Sequence, residues 1–122
     1  NLVITSRKLD VLQETAKEMM AQKGGEVLAL ACDVRDITQV ESMWLEAVAK
    51  FGEIHVVLNN AAGNFISPTE RLSVNAFNTV LDIVLKGTSQ VTLTAGKHWI
   101  ATKQPGVFLN IVTTYAWTGS GY

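Results

Sequence analysis

Four short apolar runs recur along the chain, and between them the apolar residues change to helical spacing. The runs are Leu2-Val3-Ile4-Thr5, Val27-Leu28-Ala29-Leu30-Ala31, His55-Val56-Val57-Leu58-Asn59 and Val107-Phe108-Leu109-Asn110-Ile111-Val112. Each is short, unbroken by charge and mostly rich in β-branched residues, the pattern of a buried strand. The third is apolar enough to be covered on both faces. Strands alternating with helices in the order β-α-β-α-β-α-β form a parallel sheet with right-handed crossovers, an α/β layer fold.

The intervening segments carry helix signals at their ends. Leu9, Leu12, Ala16 and Met19 share one face of a helix that runs to about Gln22 and stops at Gly24-Gly25. Asp36 is placed to cap the next helix, with Gln39 three residues on completing a capping-box pattern. Behind it Val40, Trp44, Ala47, Val48 and Phe51 form a face that ends at Gly52. Residues 60–69 are a loop rich in Asn, Gly and Pro. Ser73 caps a long helical region through Val74, Phe77, Val80, Leu81 and Val84, with a possible break near Gly87 and continuation to about Ile100. Pro105-Gly106 is a turn.

Charge and composition narrow the classes of function. The 122 residues are 48% hydrophobic and 17% charged, with 10 basic against 11 acidic side chains, which speaks against a nucleic-acid or membrane-surface protein. No apolar run reaches the roughly 18 residues of a spanning helix. The single cysteine, Cys32, excludes an internal disulfide framework and reads as a small buried hydrophobe. Trp44 and Trp99 fall on helices as core or interface residues. The chain opens without Met and closes on a loop-like Gly119-Ser120-Gly121-Tyr122, so it reads as part of a longer protein, and its targeting is left open.

In open α/β sheets ligands bind beyond the carboxyl ends of the strands. Those positions hold Ser6-Arg7-Lys8, Asp33-Val34-Arg35, the run from Asn59 to Phe65, and Thr113-Thr114-Tyr115. A guanidinium at Arg7 can fork onto a phosphate, or it can simply be a solvated turn residue; spacing leaves both open. Asp33 can accept from an amino group such as adenine's, although turn chemistry alone accounts for it. Small residues after a buried strand let backbone approach a ligand, and paired amides offer donors and acceptors, yet an Asn/Gly turn has the same composition. Tyr115 taken alone reads as an ordinary core tyrosine.

Together these residues resemble the short-chain dehydrogenase/reductase superfamily. Asn59-Asn60-Ala61-Ala62-Gly63 is similar to its Asn-Asn-Ala-Gly signature with one extra alanine. The nearer resemblance is to the NADPH-dependent, mitochondrial-type 2,4-dienoyl-CoA reductase branch. It is carried by Ser6-Arg7-Lys8, Cys32-Asp33-Val34-Arg35, the block from Asn59 through Asn64-Phe65 to Ser73, Asp82-Ile83-Val84-Leu85 and Thr114-Tyr115-Ala116. That resemblance implies one NADP-binding, Rossmann-like doubly wound domain of which residues 1–122 are a part. The family's Gly-rich pyrophosphate loop and first strand would precede Asn1, and its catalytic-region Ser and Lys would follow Tyr122. The absent strand belongs between the first and third strands of this chain, so two strand pairs are expected to face a gap. These 122 residues alone are then expected neither to hold NADPH tightly nor to turn over.

The resemblance also implies residue roles. Arg7 would bind the 2′-phosphate of NADPH and Asp33 the adenine end, while Asn60, Ala61 and Gly63 would line the cofactor site. Asn64 and Tyr115 would hydrogen-bond the thioester carbonyl of a dienoyl-CoA, and Arg35, Phe65 and Ser73 match substrate-contacting positions. Common members place an Asn three residues before the position of Gly87; here it is Val84. The implied product is a trans-3-enoyl-CoA within unsaturated fatty-acid β-oxidation, and the implied assembly is a homotetramer through residues 73–100. The implied partner is an acyl-CoA thioester, with no nucleic acid, membrane or metal. Bacterial cytoplasm and mitochondrial matrix both remain open as compartments. Two alternatives stand beside this reading, a carbonyl reductase of 3-oxoacyl thioesters and a catalytically silent nucleotide-binding regulator.

Overall fold

Parallel pairing needs a crossover between strands, and the chain supplies one each time. The computed structural model describes residues 1–114 and 117–119. In order they form β1 (Leu2–Ser6), α1 (Leu9–Lys23), β2 (Val27–Ala31), α2 (Ile37–Phe51) and β3 (Val56–Asn59). A short 3-10 turn (Thr69–Arg71), α3 (Val74–Leu81), a π-helical segment (Asp82–Gly87), α4 (Thr88–Thr102) and β4 (Val107–Asn110) follow. The α/β architecture with parallel strands is as expected from the sequence pattern.

The strands form two parallel pairs rather than one sheet. β1 pairs with β2 in the register Leu2↔Val27 to Ser6↔Ala31, and β3 pairs with β4 from Val56↔Val107 to Asn59↔Asn110. β1 and β3 are not hydrogen-bonded to each other, which is the break anticipated between the two pairs.

The main core lies between α2, α4 and one face of β3–β4. Cys32, Val40, Met43, Trp44, Val57, Val91, Ala95 and Trp99 are buried together, with Phe108, Leu30 and Ile54 packed on them. Trp99 is the hinge of this packing. Its ring stacks at a tilt on Phe108 (4.7 Å between centroids) and meets Trp44 edge-on (6.1 Å). Its indole N–H donates to the Ile54 carbonyl at 2.7 Å. Gly106 is required beside it, because a Cβ there would lie 2.3 Å from the indole ring. Elsewhere Leu12 and Ala16 bury the inner face of α1, outside this cluster.

One expectation fails. β3 is covered on one face only: Asn59 is 8% exposed and Val57 9%, whereas Val56 and Leu58 are 61% and 57% exposed. The period of two along a strand sends Val57 and Asn59 toward α2 and α4 and their neighbours to the opposite side. Val107 and Leu109 of β4 continue that open apolar face. The long helical region also differs in detail. It does not break at Gly87 but passes through six residues of wider π geometry before α4 begins.

Replacing Trp99 by Phe in the full-length protein keeps most of the ring packing but leaves the Ile54 carbonyl without its donor. The expected cost is about 1–3 kcal/mol, read as a lower urea midpoint with an unchanged slope. An unaltered midpoint contradicts the role given to this bond.

Candidate active site

The candidate segments lie at the carboxyl ends of the strands of the two pairs, as far as the described residues reach. At β1 and β2 the geometry is set by backbone pairing that runs one step past the ladder, since the Cys32 N–H donates to the Ser6 carbonyl at 2.9 Å. Arg7 therefore sits one residue beyond β1 and Asp33 two residues beyond β2, at adjacent parallel strand ends. Arg7 is exposed and Cys32 is buried as expected, its thiol pushed up in pKa mainly by desolvation.

Asp33 is held on every side. Its backbone N–H donates to Gln39 Oε1 (2.9 Å) and its carbonyl accepts from the Asp36 N–H (2.9 Å). Its carboxylate is forked by Arg35: Nε donates to Oδ1 at 2.9 Å and Oδ2 at 3.1 Å, Nη2 also donates to Oδ2, and the Arg35 backbone N–H donates to Oδ1 at 3.1 Å. The Arg35 side chain holds the Asp33 carboxyl below the usual carboxylate range, against partial desolvation. The Arg35 N–H and charge act in the same direction, and the charge of Arg7 adds a smaller pull. Arg35 is in turn raised by Asp33, with the charge of Asp82 in the π segment adding a smaller pull in the same direction.

Asp36 caps α2 as expected, accepting from the Thr38 N–H at 2.9 Å and from its hydroxyl at 2.7 Å. Gln39 does not close a standard capping box. Its amide donates to Asp36 Oδ2 while its oxygen reaches back to Asp33, not to the Asp36 N–H. The turn is braced from α4 as well, because Gln90 Nε2 donates to the Val34 carbonyl. Gly87 gives the Val34 side chain room, since a Cβ there would lie 2.5 Å from Val34 Cγ2.

At β3 and β4 the buried Asn59 donates from Nδ2 to Asn110 Oδ1 (2.8 Å) and to Thr92 Oγ1 (3.2 Å), tying both strand ends to α4. Beyond it Asn60, Ala61, Asn64 and Phe65 are exposed. The Asn64 amide enters no hydrogen bond with the described residues. Gly63 is half-buried, and a Cβ there would lie 2.9 Å from Ile83 Cδ1, so its smallness seats the loop on the π segment. Ser73 accepts from the Ala76 N–H at 3.1 Å as the cap of α3, which occupies its oxygen as an acceptor. Tyr115 lies outside the described residues.

The structure thus brings Arg7, Asp33 and Arg35 together at one pair of strand ends. Asn60, Ala61, Gly63, Asn64 and Phe65 share the loop after β3. Sequence reasoning missed Gln39 as the brace of Asp33 and Asn110 as the partner of Asn59. A signal for the second was present, because the third and fourth runs both carry Leu-Asn at matching positions. A phosphorylated, aromatic-ended dinucleotide fits this donor set: an exposed guanidinium, a fixed carboxylate on a braced turn, and small exposed residues after β3.

Polar residues at the carboxyl ends of parallel strands place this chain in the class of α/β folds that bind ligands there, and the comparisons give the family. Residues 1–120 match the short chain dehydrogenase family, and the chain belongs to it. It is 43% identical over 121 residues to a Bacillus subtilis protein named probable 2,4-dienoyl-CoA reductase, (2E)-enoyl-CoA-producing, covering 99% of this chain and 47% of that one. It is 39% identical over 123 residues to the Caenorhabditis elegans probable 2,4-dienoyl-CoA reductase 3, (3E)-enoyl-CoA-producing, covering 100% and 40%. Among solved structures, actinorhodin polyketide ketoreductase with NADPH superposes with a TM-score of 0.89 at 26% identity, covering 98% of this chain and 46% of that one. The chain spans less than half the length of these relatives. Among the described residues no helix is long and apolar enough to cross a membrane.

Asp33 has a lowered pKa in the folded state, so its contribution to stability is complete above the unfolded carboxylate value of about 3.9 and is lost as pH falls through the folded value. Asp33→Asn should therefore flatten the acid limb of urea midpoint against pH between about 5 and 2 relative to wild type. Parallel acid limbs contradict the assignment.

Proposed function

We propose that the full-length protein is an NADPH-dependent reductase of 2,4-dienoyl-CoA thioesters, and that residues 1–122 are part of its single dinucleotide-binding domain. Carrying this reading is the exposed Asn64 amide in the loop after β3, which bonds to no side chain or backbone group among the described residues, within a chain whose relatives bear that name. Bound NADPH would supply a hydride to the far end of the diene. Arg7 would hold the 2′-phosphate, Asp33 the adenine end, and Asn60, Ala61 and Gly63 the inner cofactor wall. Arg35, Phe65 and Ser73 would face the acyl-CoA.

The chain's own chemistry lies at the thioester oxygen. As electrons move through the conjugated system, negative charge collects there. The Asn64 N–H and the Tyr115 O–H would donate to it as neutral, positioned groups. Neither needs to ionise. Val84, apolar and on the π segment, has no proton to relay, which favours double-bond over carbonyl reduction. A dienolate held at oxygen is protonated fastest at the α-carbon, giving the trans-3-enoyl product; protonation at the γ-carbon gives the trans-2-enoyl product. The exposed apolar row along α3, the π segment and α4, including Val74, Phe77, Leu85, Leu93 and Ile100, would be the self-association face of a tetramer.

With NADPH and a 2,4-dienoyl-CoA, the full-length protein should consume both in equal amounts, and Asn64→Ala or Tyr115→Phe should each lower kcat about 10²–10³-fold. NMR of the product identifies the remaining double bond. Turnover of 3-oxoacyl thioesters in place of dienoyl-CoA, or variants as fast as wild type, overturns the reading.

A further inference from the structure

We propose that Arg35 is a positioning residue for cofactor choice: by occupying the Asp33 carboxylate it leaves Arg7 free for a 2′-phosphate, and so sets preference for the phosphorylated dinucleotide. The inference rests on the cofactor reading above and goes beyond it, because the resemblance assigns Arg35 to substrate.

The argument starts from two opposite charges on neighbouring strand ends. β1 and β2 are hydrogen-bonded through Ser6 and Cys32, so Arg7 follows one strand end and Asp33 lies one step past the Cys32 opposite it, near enough for the Arg7 charge to act on the Asp33 carboxylate. A flexible guanidinium beside an uncommitted carboxylate closes into a bidentate pair. Such a pair would withdraw the Arg7 guanidinium from the ligand.

Arg35 prevents this. A carboxylate offers about four lone-pair sites, and Arg35 donates to Asp33 through its backbone N–H, Nε and Nη2. Both oxygens are engaged, and the pair is intraloop, two residues apart. The turn that presents it is fixed by Gln39 from α2, Gln90 from α4 and the fit of Val34 against Gly87. Arg35 thus competes for Asp33 with little ordering cost, while Arg7, on an exposed turn, would have to lose side-chain entropy to do so.

The test is the affinity of the full-length protein for NADPH and for NADH, measured by calorimetric titration without substrate. The two ligands share the adenine, so their ratio isolates the 2′-phosphate. Wild type should prefer NADPH. Arg35→Met should reduce that preference at least about tenfold through weaker NADPH binding, the scale of one charge-assisted contact. The double variant Asp33→Asn with Arg35→Met should regain most of the preference, because Arg7 then has no carboxylate to fall onto. Arg35→Lys, which cannot fork, should lie between. Equal weakening of both cofactors by Arg35→Met marks a merely structural role and overturns the inference, as does a double variant no better than the single one. A wild-type protein that does not prefer NADPH overturns the cofactor reading itself, and this inference with it.

Discussion

The indole hydrogen bond from Trp99 to the Ile54 carbonyl anchors α4 to the entrance of β3, and the placement of both strand-end clusters follows from it. A half-buried carbonyl at a strand entrance is stabilised by a donor, and here the indole crossing from the helix layer supplies it. Once Trp99 is fixed, the rise of an α-helix places Thr92 and Gln90 roughly 10–14 Å further toward the opposite end of the strands. There Thr92 accepts from Asn59, and Gln90 donates to Val34. One helix therefore spans the whole length of the strand layer. Its aromatic end packs the core, and its polar end fixes the two clusters of residues from which the proposed chemistry comes.

The π segment is the adjustment that makes the second half of this possible. Widening six residues between α3 and α4 changes which side chains face the strands. It lets Gly87 approach Val34 while Ile83 receives Gly63 from the loop after β3. Such segments are energetically poorer than α-helix and persist where surrounding contacts favour them. Here the contacts come from both strand-end clusters at once. Asp82, at the start of the same segment, is the acidic group that acts on Arg35 from outside its own turn.

Much of the architecture was legible because the apolar period changes between two and 3.6 at each element, and because Asp36 and Ser73 are polar caps at the right offset. What escaped reading is what pattern does not encode. Periodicity marks the apolar faces of β3 but not whether an element packs on each, so Val56 and Leu58 read as covered. A helix that passes from α to π geometry keeps an apolar stripe close enough to continuous that only Gly87 hinted at change. At the site, residue identity located Arg7, Asp33 and Arg35 at strand ends. Which charges pair depends on side-chain reach across two turns, and that is a property of three dimensions. The Gln39 offset correctly suggested a cap, yet the amide bridges two acidic residues instead.

Alternation of charge bears on whether this strand end suits the anion proposed for it. Arg7, Asp33, Arg35 and Asp82 follow one another with opposite signs, each of the inner two acted on by its neighbours. An isolated Asp33 would repel a phosphate and attract the nearest guanidinium. Paired inside its own turn, it becomes a fixed acceptor with much of its charge offset by Arg35, beside the exposed Arg7 and Lys8 that follow β1. The loop after β3 has a different balance, with neutral amides and the apolar Phe65 and Ile66 and no charge between Asn59 and Pro68. A neutral donor there would gain strength as charge develops once a bound ligand covers the loop and displaces water. The same fold thus presents a charged end suited to holding a polyanionic ligand and an uncharged end suited to a reaction that moves charge. On the proposed reading, Asn64 works because it stands at the second and not the first.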